Sequence, residues 1–274
     1  MTVTVEPVEG RPYPLDNDNR TAGEQHNGLA TLLNPFTTQR IRSLVGDLTG
    51  KTCLEVGAGG GSVAVWLAEQ VGPAGTVVAT DLKPARIPQH DRLEVVRHDL
   101  TCEDIPGGPY DLIHARLVLN HLPPRDEILR RLVGALAPGG VLVNEDWAAD
   151  QVDQVVVAAP TPEAAALYTL YQRTVGAKVF AAAGTDRSWA RRVHVAMLDE
   201  GLVNVSTVVH ASYWQGGDTG GRMLAANIHQ LRPRLIAAGM TSEQLDELLA
   251  LLDDPRLVIH GFPLYSTAGW RPAA

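Results

Sequence analysis

Cysteine is scarce in this chain, and its positive charge is dispersed. Only two cysteines, Cys53 and Cys102, occur among 274 residues, and both lie in or beside apolar segments. We therefore expect free, reduced thiols, which suit a cytoplasmic protein. The net charge is −8, and the pairs Arg130-Arg131 and Arg191-Arg192 lie in amphipathic stretches. No Lys/Arg cluster that could follow a phosphate backbone is seen, so a nucleic-acid partner is not expected.

Long apolar runs are also missing from the sequence. No run approaches the roughly 20 residues that cross a bilayer, and the first residues, MTVTVEPVEGRPYP, lack a basic segment followed by an apolar one. We expect neither a membrane partner nor a secretory signal. Metal-ligand spacings such as H-E-x-x-H and Cys/His clusters are absent as well, so no metal is expected. Hydrophobic residues still make up 45% of the chain, which is enough for a buried core.

From residue 50 onward, the sequence alternates between predicted strands and helices. The predicted strands lie at 52–57, 76–80, 93–97, 110–115 and 141–144. This alternation predicts an α/β fold with a doubly wound, mostly parallel sheet. Two later runs, 203–213 and 257–268, would complete seven strands with an antiparallel end.

The chain is expected to divide into a cap and a sheet domain. Residues 1–48 would form an N-terminal arm and helical cap, and residues 49–274 the sheet domain with helical insertions at about 150–200 and 218–253. A capping box at Thr21–Glu24 predicts the start of the first cap helix. The pair Asn34-Pro35 would end that helix and begin another.

A glycine-rich turn follows the first predicted strand, in the sequence CLEVGAGGGSVAVWLAEQ. Glycine lets a ligand approach the backbone closely, and a strand, a turn and a helix N-terminus form a polar-ligand site. A dinucleotide fingerprint needs a third glycine where Ser62 stands, so the spacing is instead E-x-G-x-G-x-G. Asp81 lies 20 residues after Gly61, at the end of the second strand, where a carboxylate can accept both hydroxyls of a ribose.

Five segments within roughly residues 40–150 resemble, in order, the motifs of class I S-adenosylmethionine-dependent methyltransferases. They are LEVGAGGGS, VVATDL, RHDL, YDLIHARLVLNHLPP and LAPGGVLVNEDW. Within that family, the chain looks most like actinobacterial methyltransferases that act on small molecules of secondary metabolism, including antibiotic biosynthesis. The resemblance implies a Rossmann-like methyltransferase fold, with S-adenosylmethionine as cofactor and S-adenosylhomocysteine as product.

The resemblance also implies which residues hold the methionine part and the ribose of the cofactor. Glu55 would meet the amino group, directly or through water. The residues that would border the methionine part and the ribose are Gly57, Ala58, Gly59, Ala115 and Arg116.

The adenosine end of the cofactor is expected at the next two strand ends. The resemblance implies that Asp81 holds the ribose hydroxyls, with Leu82 against the adenine. Asp99 would accept a hydrogen bond from the adenine amino group, and Leu100 would pack on the ring. A carboxylate suits a diol or an exocyclic amine, and an apolar side chain suits a flat ring.

Methyl transfer requires an acceptor held in line with the sulfonium, and a base only when the acceptor is a hydroxyl or a protonated amine. The candidates for base or orienting group are His121, His26 and Asp146, each of which also has a structural interpretation on a helix face or as a cap. The candidates for contact with the acceptor are Tyr13, Trp147, Tyr168 and His229.

The expected function is methylation of a small, fairly apolar molecule, with oxygen the first choice of acceptor atom and nitrogen and carbon the alternatives. A second hypothesis is a nicotinamide-dependent oxidoreductase, which Ser62 and the lack of a Tyr-x-x-x-Lys pair disfavour. A third is a cofactor-binding protein that regulates, or steers a cyclisation, without methylating. A homodimer would follow if the apolar helix at 164–171 needs a partner surface, and a monomer fits equally well.

Overall fold

A computed structural model describes Pro14, Leu15, Asn19 and residues 21–273. Its strands, in chain order, are β1 (Thr52–Val56), β2 (Thr76–Asp81), β3 (Leu93–Arg97), β4 (Tyr110–Arg116), β5 (Leu136–Trp147), β6 (Val156–Ala158), β7 (Val203–His210), β8 (Tyr213–Gln215), β9 (Val258–His260) and β10 (Leu264–Trp270). Its α-helices are α1 (Ala22–Val45), α2 (Ser62–Gln70), α3 (Arg125–Gly134), α4 (Pro162–Thr174), α5 (Val193–Asp199), α6 (Thr219–Ala237) and α7 (Ser242–Asp253).

Seven strands form one sheet in the order β3-β2-β1-β4-β5-β10-β7. The pairs among β1 to β5 are parallel, and β10 is antiparallel to both of its neighbours. This arrangement confirms the predicted seven-stranded, mostly parallel sheet. Because the first five strands run the same way, their carboxyl ends meet along one edge, where ligands bind in such folds.

Alternating side chains of the sheet enter two different cores. In β1, Cys53 packs with α2 and the C-terminal half of α1, whereas Leu54 packs with α3 and α5 on the other face. This is the period-2 alternation of a strand covered on both sides. Burial raises the pKa of Cys53 to about 12, so it remains a thiol, and neither cysteine is in a disulfide.

A third core joins α4, α6 and α7 to a small sheet that the sequence did not predict. The order of this sheet is β6-β9-β8, and its strands are antiparallel. The helix α6 also packs along α1, so α1 bridges this helical layer and the large sheet. Within the described residues, no helix is both long and apolar enough to cross a membrane.

Two expectations for the first helix are wrong. The helix α1 continues from Ala22 to Val45 through Pro35 instead of breaking there. Asn34 does not begin a new helix, because its Oδ1 accepts hydrogen bonds from Nη2 of Arg116 at 3.0 Å and from Oγ of Ser62 at 3.3 Å. The expected capping box is also not formed, since Oγ1 of Thr21 donates to Oδ1 of Asn19 at 2.9 Å.

The last predicted strand is divided between the two sheets. Residues 258–260 pair in the small sheet as β9, and Gly261 to Pro263 separate them from β10 in the large sheet. The carbonyl oxygen of Pro263 accepts from the amide of Ala148 at 3.0 Å, which joins this break to the end of β5. In the same way, the run 203–213 ends at His210 in β7, and Tyr213 belongs to β8.

Candidate active site

The glycine turn forms one end of a cavity of about 1150 Å³ at the carboxyl edge of the sheet. Gly57 has a φ of 63°, and a Cβ built on it would lie 2.5 Å from Cγ2 of Val118, so no larger residue fits there. The amide of Ala58 donates to the carbonyl oxygen of Thr80 at 2.9 Å. The turn is therefore fixed against β2, and its backbone borders the cavity.

Asp81 lies at the end of β2, beside this turn. Its Oδ2 accepts from the amide of Gly59 at 2.8 Å, and its Oδ1 accepts from the amide of Lys83 at 2.8 Å. These two bonds set the orientation of a carboxylate, a group that accepts hydrogen bonds from ligand hydroxyls. Leu82, the next residue, is 49% exposed and also lines the cavity.

The cavity continues past the end of β3. Asp99 and Leu100 line it, and Leu100 is buried. Oδ1 of Asp99 accepts from the amide and the hydroxyl of Thr101, at 2.9 and 2.6 Å. Burial opposes ionisation of this carboxyl, but the bonds from Thr101 outweigh it and hold the pKa of Asp99 below its usual range. A carboxylate and an apolar side chain thus stand side by side, as predicted for an adenine site.

Beneath the cavity, two glutamates of the sheet flank a buried histidine. Nδ1 of His114 lies 2.6 Å from Oε2 of Glu55, and its Nε2 lies 3.4 Å from Oε2 of Glu145. Burial acts to lower the pKa of His114, but the two carboxylates outweigh it and raise this pKa to about 9. The resulting imidazolium stabilises the fold fully below about pH 6.5, and this contribution is lost as the pH rises through about 9.

The same network reaches α1 through Arg116. Its Nη1 donates to Oγ1 of Thr37 at 3.0 Å, its Nη2 donates to Asn34, and Thr37 in turn donates to Oε2 of Glu145 at 2.5 Å. Glu55 and Arg116 both line the cavity. The network therefore holds one acidic and one basic group at the predicted methionine end, with their positions set from behind by His114 and Thr37.

Two of the candidate histidines lie in the cavity wall. His26, on α1, packs over the glycine turn, and its Nε2 is 3.5 Å from a Cβ built on Gly59. Burial and the nearby Arg86 lower its pKa. His121 closes the short 3₁₀ turn Leu119–His121 after β4. Its Nδ1 shares a hydrogen bond with Oγ1 of Thr185 at 3.1 Å.

His121 is neutral at ordinary pH. Burial, with the charge of Arg125 added, lowers its pKa to about 3. A neutral imidazole can accept a proton, although one with so low a pKa is a weak base unless a bound ligand changes its surroundings.

The far end of the cavity has aromatic and apolar walls. Trp147 is the last residue of β5, and its ring lies 5.3 Å from that of Phe262, centroid to centroid. The other lining residues of this end come from α4, the helical turn after it and α6; they include Tyr171, Gln172, Val175, Phe180, Leu224, Asn227 and Leu231. Trp147 therefore stands where the acceptor was expected.

Three candidate residues do not reach the cavity lining. Asp146 is fully buried, because the alternation of β5 turns it away from the cavity towards Asn144, whose Nδ2 donates to its Oδ2 at 2.9 Å. Tyr168 lies one helical turn behind the wall and accepts from Nε2 of Gln172 at 2.9 Å. His229 is exposed, because the face of α6 that lines the cavity carries Asn227 and its neighbours instead.

Two further candidates have different outcomes. Ala115 lies in the core on the α3 side of the sheet and does not line the cavity, although Arg116 next to it does. Tyr13 lies outside the described residues, so its predicted role stays a prediction. The other predicted cofactor residues all border the cavity: Glu55, Gly57, Ala58, Gly59, Asp81, Leu82, Asp99, Leu100 and Arg116.

Sequence reasoning missed the polar residues of the far wall. Gln172 and Arg187 line the cavity from the predicted insertion, where the sequence shows no motif and no strict periodicity. It also missed the role of His114, for which a signal exists. A histidine and two glutamates in the middle of apolar strands are charged groups at buried positions, and such groups require partners.

Comparison with known proteins places the chain in a family. A family model described as a methyltransferase domain matches residues 33–206. Methyltransferase str3 of Strobilurus tenacellus is 34% identical over 147 residues, which are 51% of this chain and 50% of that protein. The chain spans about half the length of the curated relatives it matches.

Solved structures share the fold at low sequence identity. A candidate methyltransferase of Bacillus halodurans C-125 has a TM-score of 0.55 and 14% identity, and the match covers 86% of this chain and 98% of that one. Phosphoethanolamine N-methyltransferase 2 of Haemonchus contortus, in complex with phosphomonomethylethanolamine and S-adenosylhomocysteine, has a TM-score of 0.56 and 14% identity. That match covers 97% of this chain and 61% of the other. At this identity, the likeness concerns the fold alone.

Proposed function

The chain belongs to the methyltransferase domain family, and we propose that it transfers a methyl group from S-adenosylmethionine to a small molecule. The observation that carries this proposal is the pairing of Asp81 with the amide of Gly59, at one end of a cavity that continues to an aromatic wall. One end of the cavity suits a nucleoside, and the other suits a mostly apolar acceptor.

The residues at the first end fit S-adenosylmethionine. The carboxylate of Asp81, oriented by two backbone amides, can accept hydrogen bonds from the ribose hydroxyls, and Gly57 presents bare backbone to the cavity because Val118 leaves no room for a side chain there. Leu82 and Leu100 suit the faces of the adenine, and Glu55 suits an ammonium group. The cofactor, when bound, supplies a methyl group attached to a positively charged sulfur. Transfer of this methyl group leaves a neutral sulfide.

We propose oxygen as the acceptor atom, and nitrogen or carbon as the alternatives. The position of His121 in the cavity wall supports oxygen, because an imidazole there can contact an acceptor hydroxyl, although its low pKa makes it a weak base. Asp146 is not part of this proposal, since it has no access to the cavity. Two further proposals rest on the sequence resemblance alone. They are that the acceptor is a secondary metabolite, such as an antibiotic, and that the protein is similar to actinobacterial enzymes.

The domain division, the location and the assembly of the protein are proposals too. The packing of α1 along α6 supports a helical cap ahead of the sheet domain. A cytoplasmic location rests on the sparse cysteines. A homodimer has weaker support than the sequence suggested, because Tyr168 and Tyr171 of the apolar segment pack inside their own chain.

Calorimetric titration with S-adenosylhomocysteine tests the cofactor site. We expect Asp81→Ala to weaken binding by about 1–3 kcal/mol, because the substitution removes charge-assisted hydrogen bonds to the ribose. Asp199→Ala is the matched control, since Asp199 is exposed on α5 and lies outside the cavity lining. Equal binding by the parent and Asp81→Ala would show that the ribose is placed wrongly.

The same titration, followed by assays for methyl transfer, separates the proposal from its competitors. Absence of binding to the parent would contradict both methylation and any other role of this cofactor. Binding without transfer to any acceptor would favour the non-methylating role, such as regulation or cyclisation. Binding of a nicotinamide dinucleotide in place of S-adenosylhomocysteine would favour the oxidoreductase.

A further inference from the structure

Arg187 brings a positive charge to the far end of the cavity. It lies between α4 and α5, and its carbonyl oxygen accepts from the amide of Ala149 at 3.0 Å, which places it beside the end of β5. Within the described part of the chain, its guanidinium makes no hydrogen bond and no ion pair. Burial lowers the pKa of Arg187, and the charges of Tyr171 and Asp150 oppose this only in part; Asp150 is itself bound to Nε of Arg191 at 3.2 Å.

The position of this guanidinium depends on a buried glycine next to Val175 of the wall. Gly176 is buried in the π-helical turn Val175–Phe180, and a Cβ built on it would overlap Nη1 of Arg187. The absence of a side chain at Gly176 therefore creates the space that the guanidinium occupies. An arginine whose guanidinium only contacted solvent would not require this space beside Gly176.

Other polar atoms of this wall also have no hydrogen-bond partner among the residues that the structure describes. Oε1 of Gln172 is buried without a hydrogen bond, while its Nε2 is bound to Tyr168. Nε1 of Trp147 and Oδ1 of Asn227 are also without partners, and all three residues line the cavity. A buried polar atom without a partner is costly, so these atoms point to a polar ligand: the two amide oxygens would accept from a ligand hydroxyl, and the indole N–H would donate to a ligand oxygen.

The two ends of the cavity differ in where acidic groups occur. The acidic residues in its lining are Glu55, Asp81 and Asp99, and all three stand at the predicted cofactor end, which also carries Lys83, Arg86 and Arg116. The far end carries Arg187 and Arg234 and, among the described lining residues, no acid. An acceptor that fits this end should therefore combine an apolar body with negative charge.

We propose that the methyl acceptor is an apolar carboxylic acid whose carboxylate binds Arg187. This inference rests on the proposed function, because it assigns the acceptor of the same site. A guanidinium offers two parallel N–H donors to a carboxylate, and Nε1 of Trp147 is a further donor in the same wall. The rings of Trp147, Phe180 and Phe262 would contact the apolar body.

A pair of probes of equal shape tests this proposal in the protein loaded with S-adenosylhomocysteine. The probes are 4-methoxybenzoate and its neutral amide, 4-methoxybenzamide, each titrated by calorimetry. We expect the parent to bind the benzoate at least tenfold more tightly than the benzamide. In Arg187→Gln this preference should disappear, while the affinity for S-adenosylhomocysteine stays unchanged.

Two further variants separate charge from position. Gly176→Ala keeps the guanidinium but displaces it, so it should also weaken benzoate binding, by at least fivefold. Arg256→Gln is the control, because Arg256 is exposed and lies outside the cavity lining; it should behave like the parent. The far-ultraviolet circular dichroism of each variant shows whether it is folded.

Several outcomes would overturn the proposal. They are equal binding of the two probes by the parent, failure of the parent to bind either one, and a preference for benzoate that survives in Arg187→Gln. Failure of the parent to bind S-adenosylhomocysteine would instead contradict the proposed function. The probe pair would then be titrated into the protein alone, so the preference of Arg187 is measured in either case.

Discussion

Asp146 and Glu145, neighbours on β5, show how surroundings decide the state of a buried carboxyl group. Burial raises the pKa of Asp146 to about 7, because bonds from Asn144 and from the amides of Asn120 and Val118 compensate only in part. Burial acts in the same direction on Glu145, but His114 and other partners outweigh it and hold its pKa below the usual range. The two side chains lie on opposite faces of one strand and behave as different groups.

Asp146→Asn should therefore stabilise the protein above neutral pH. The pKa of Asp146 in the folded state is raised above the unfolded value of 3.8. The neutral carboxyl therefore contributes to folding stability below pH 3.8, and this contribution is lost as the pH rises through about 7. At pH 8 the parent folds with a charged, buried carboxylate, which asparagine avoids. We expect a gain of about 1–3 kcal/mol at pH 8 and almost none at pH 4, measured by urea unfolding.

The activity of the same variant tests the prediction from the sequence that Asp146 is a base or orienting group. Because the side chain does not line the cavity, Asp146→Asn should keep its affinity for S-adenosylhomocysteine and its turnover. A loss of turnover of a hundredfold or more, in a variant that is as stable as the parent, would show that Asp146 takes part in catalysis.

Site residues could be predicted where a local motif carries them. Asp81 and Gly59 were found because a strand, a turn and a second strand end form a local pattern whose geometry follows from few residues. Arg187 was missed because its place depends on Gly176, which is in contact with it only after the insertion has folded. The prediction that His229 contacts the acceptor was wrong because helical periodicity shows which residues share a face of a helix. It does not show which face lines the cavity.

At the scale of elements, α1 contradicts its strongest local signal. A proline inside a helix removes one backbone hydrogen bond, and it disfavours the helical conformation at the residue before it. The helix nonetheless continues through Pro35. Asn34 gains two hydrogen bonds in that conformation, and Thr37, one turn later, reaches Glu145. Tertiary contacts with the sheet therefore hold this helix together.

Pro35→Ala should make the protein more stable, because alanine restores the missing amide donor and removes the restriction on Asn34. We expect a gain of about 1–2 kcal/mol in the free energy of unfolding, reduced by the greater freedom of the unfolded chain. Pro162→Ala is the matched control: Pro162 is the first residue of α4, where proline is favourable, so this change should be neutral or slightly destabilising.

The opposite result for this pair would change the interpretation of α1. A clear loss of stability in Pro35→Ala, with Pro162→Ala close to the parent, would mean that the proline itself shapes the helix. The bonds of Asn34 to Arg116 and Ser62 would then depend on a kink at Pro35 and not on the length of the helix.

At the scale of the whole molecule, the large sheet could be predicted and the helical layer could not. A parallel sheet can be predicted from features within short segments of the sequence: the lengths of strands and helices, the turn residues and the order of apolar runs. The layer of α4, α6 and α7 with its small sheet depends on long-range pairing, since β6 and β9 are about 100 residues apart in the chain. The acceptor end of the cavity is built by that layer, which is why its polar residues were missed.

The proposed function places S-adenosylmethionine at the glycine-turn end of one cavity and the methyl acceptor at the aromatic end that carries Arg187. The most direct test is a crystal structure of the protein with S-adenosylhomocysteine. We expect ribose density on Asp81, adenine beside Asp99 and Leu100, and the sulfur facing the space in front of Trp147. An empty glycine turn, or a ligand whose sulfur faces away from Trp147, would contradict it.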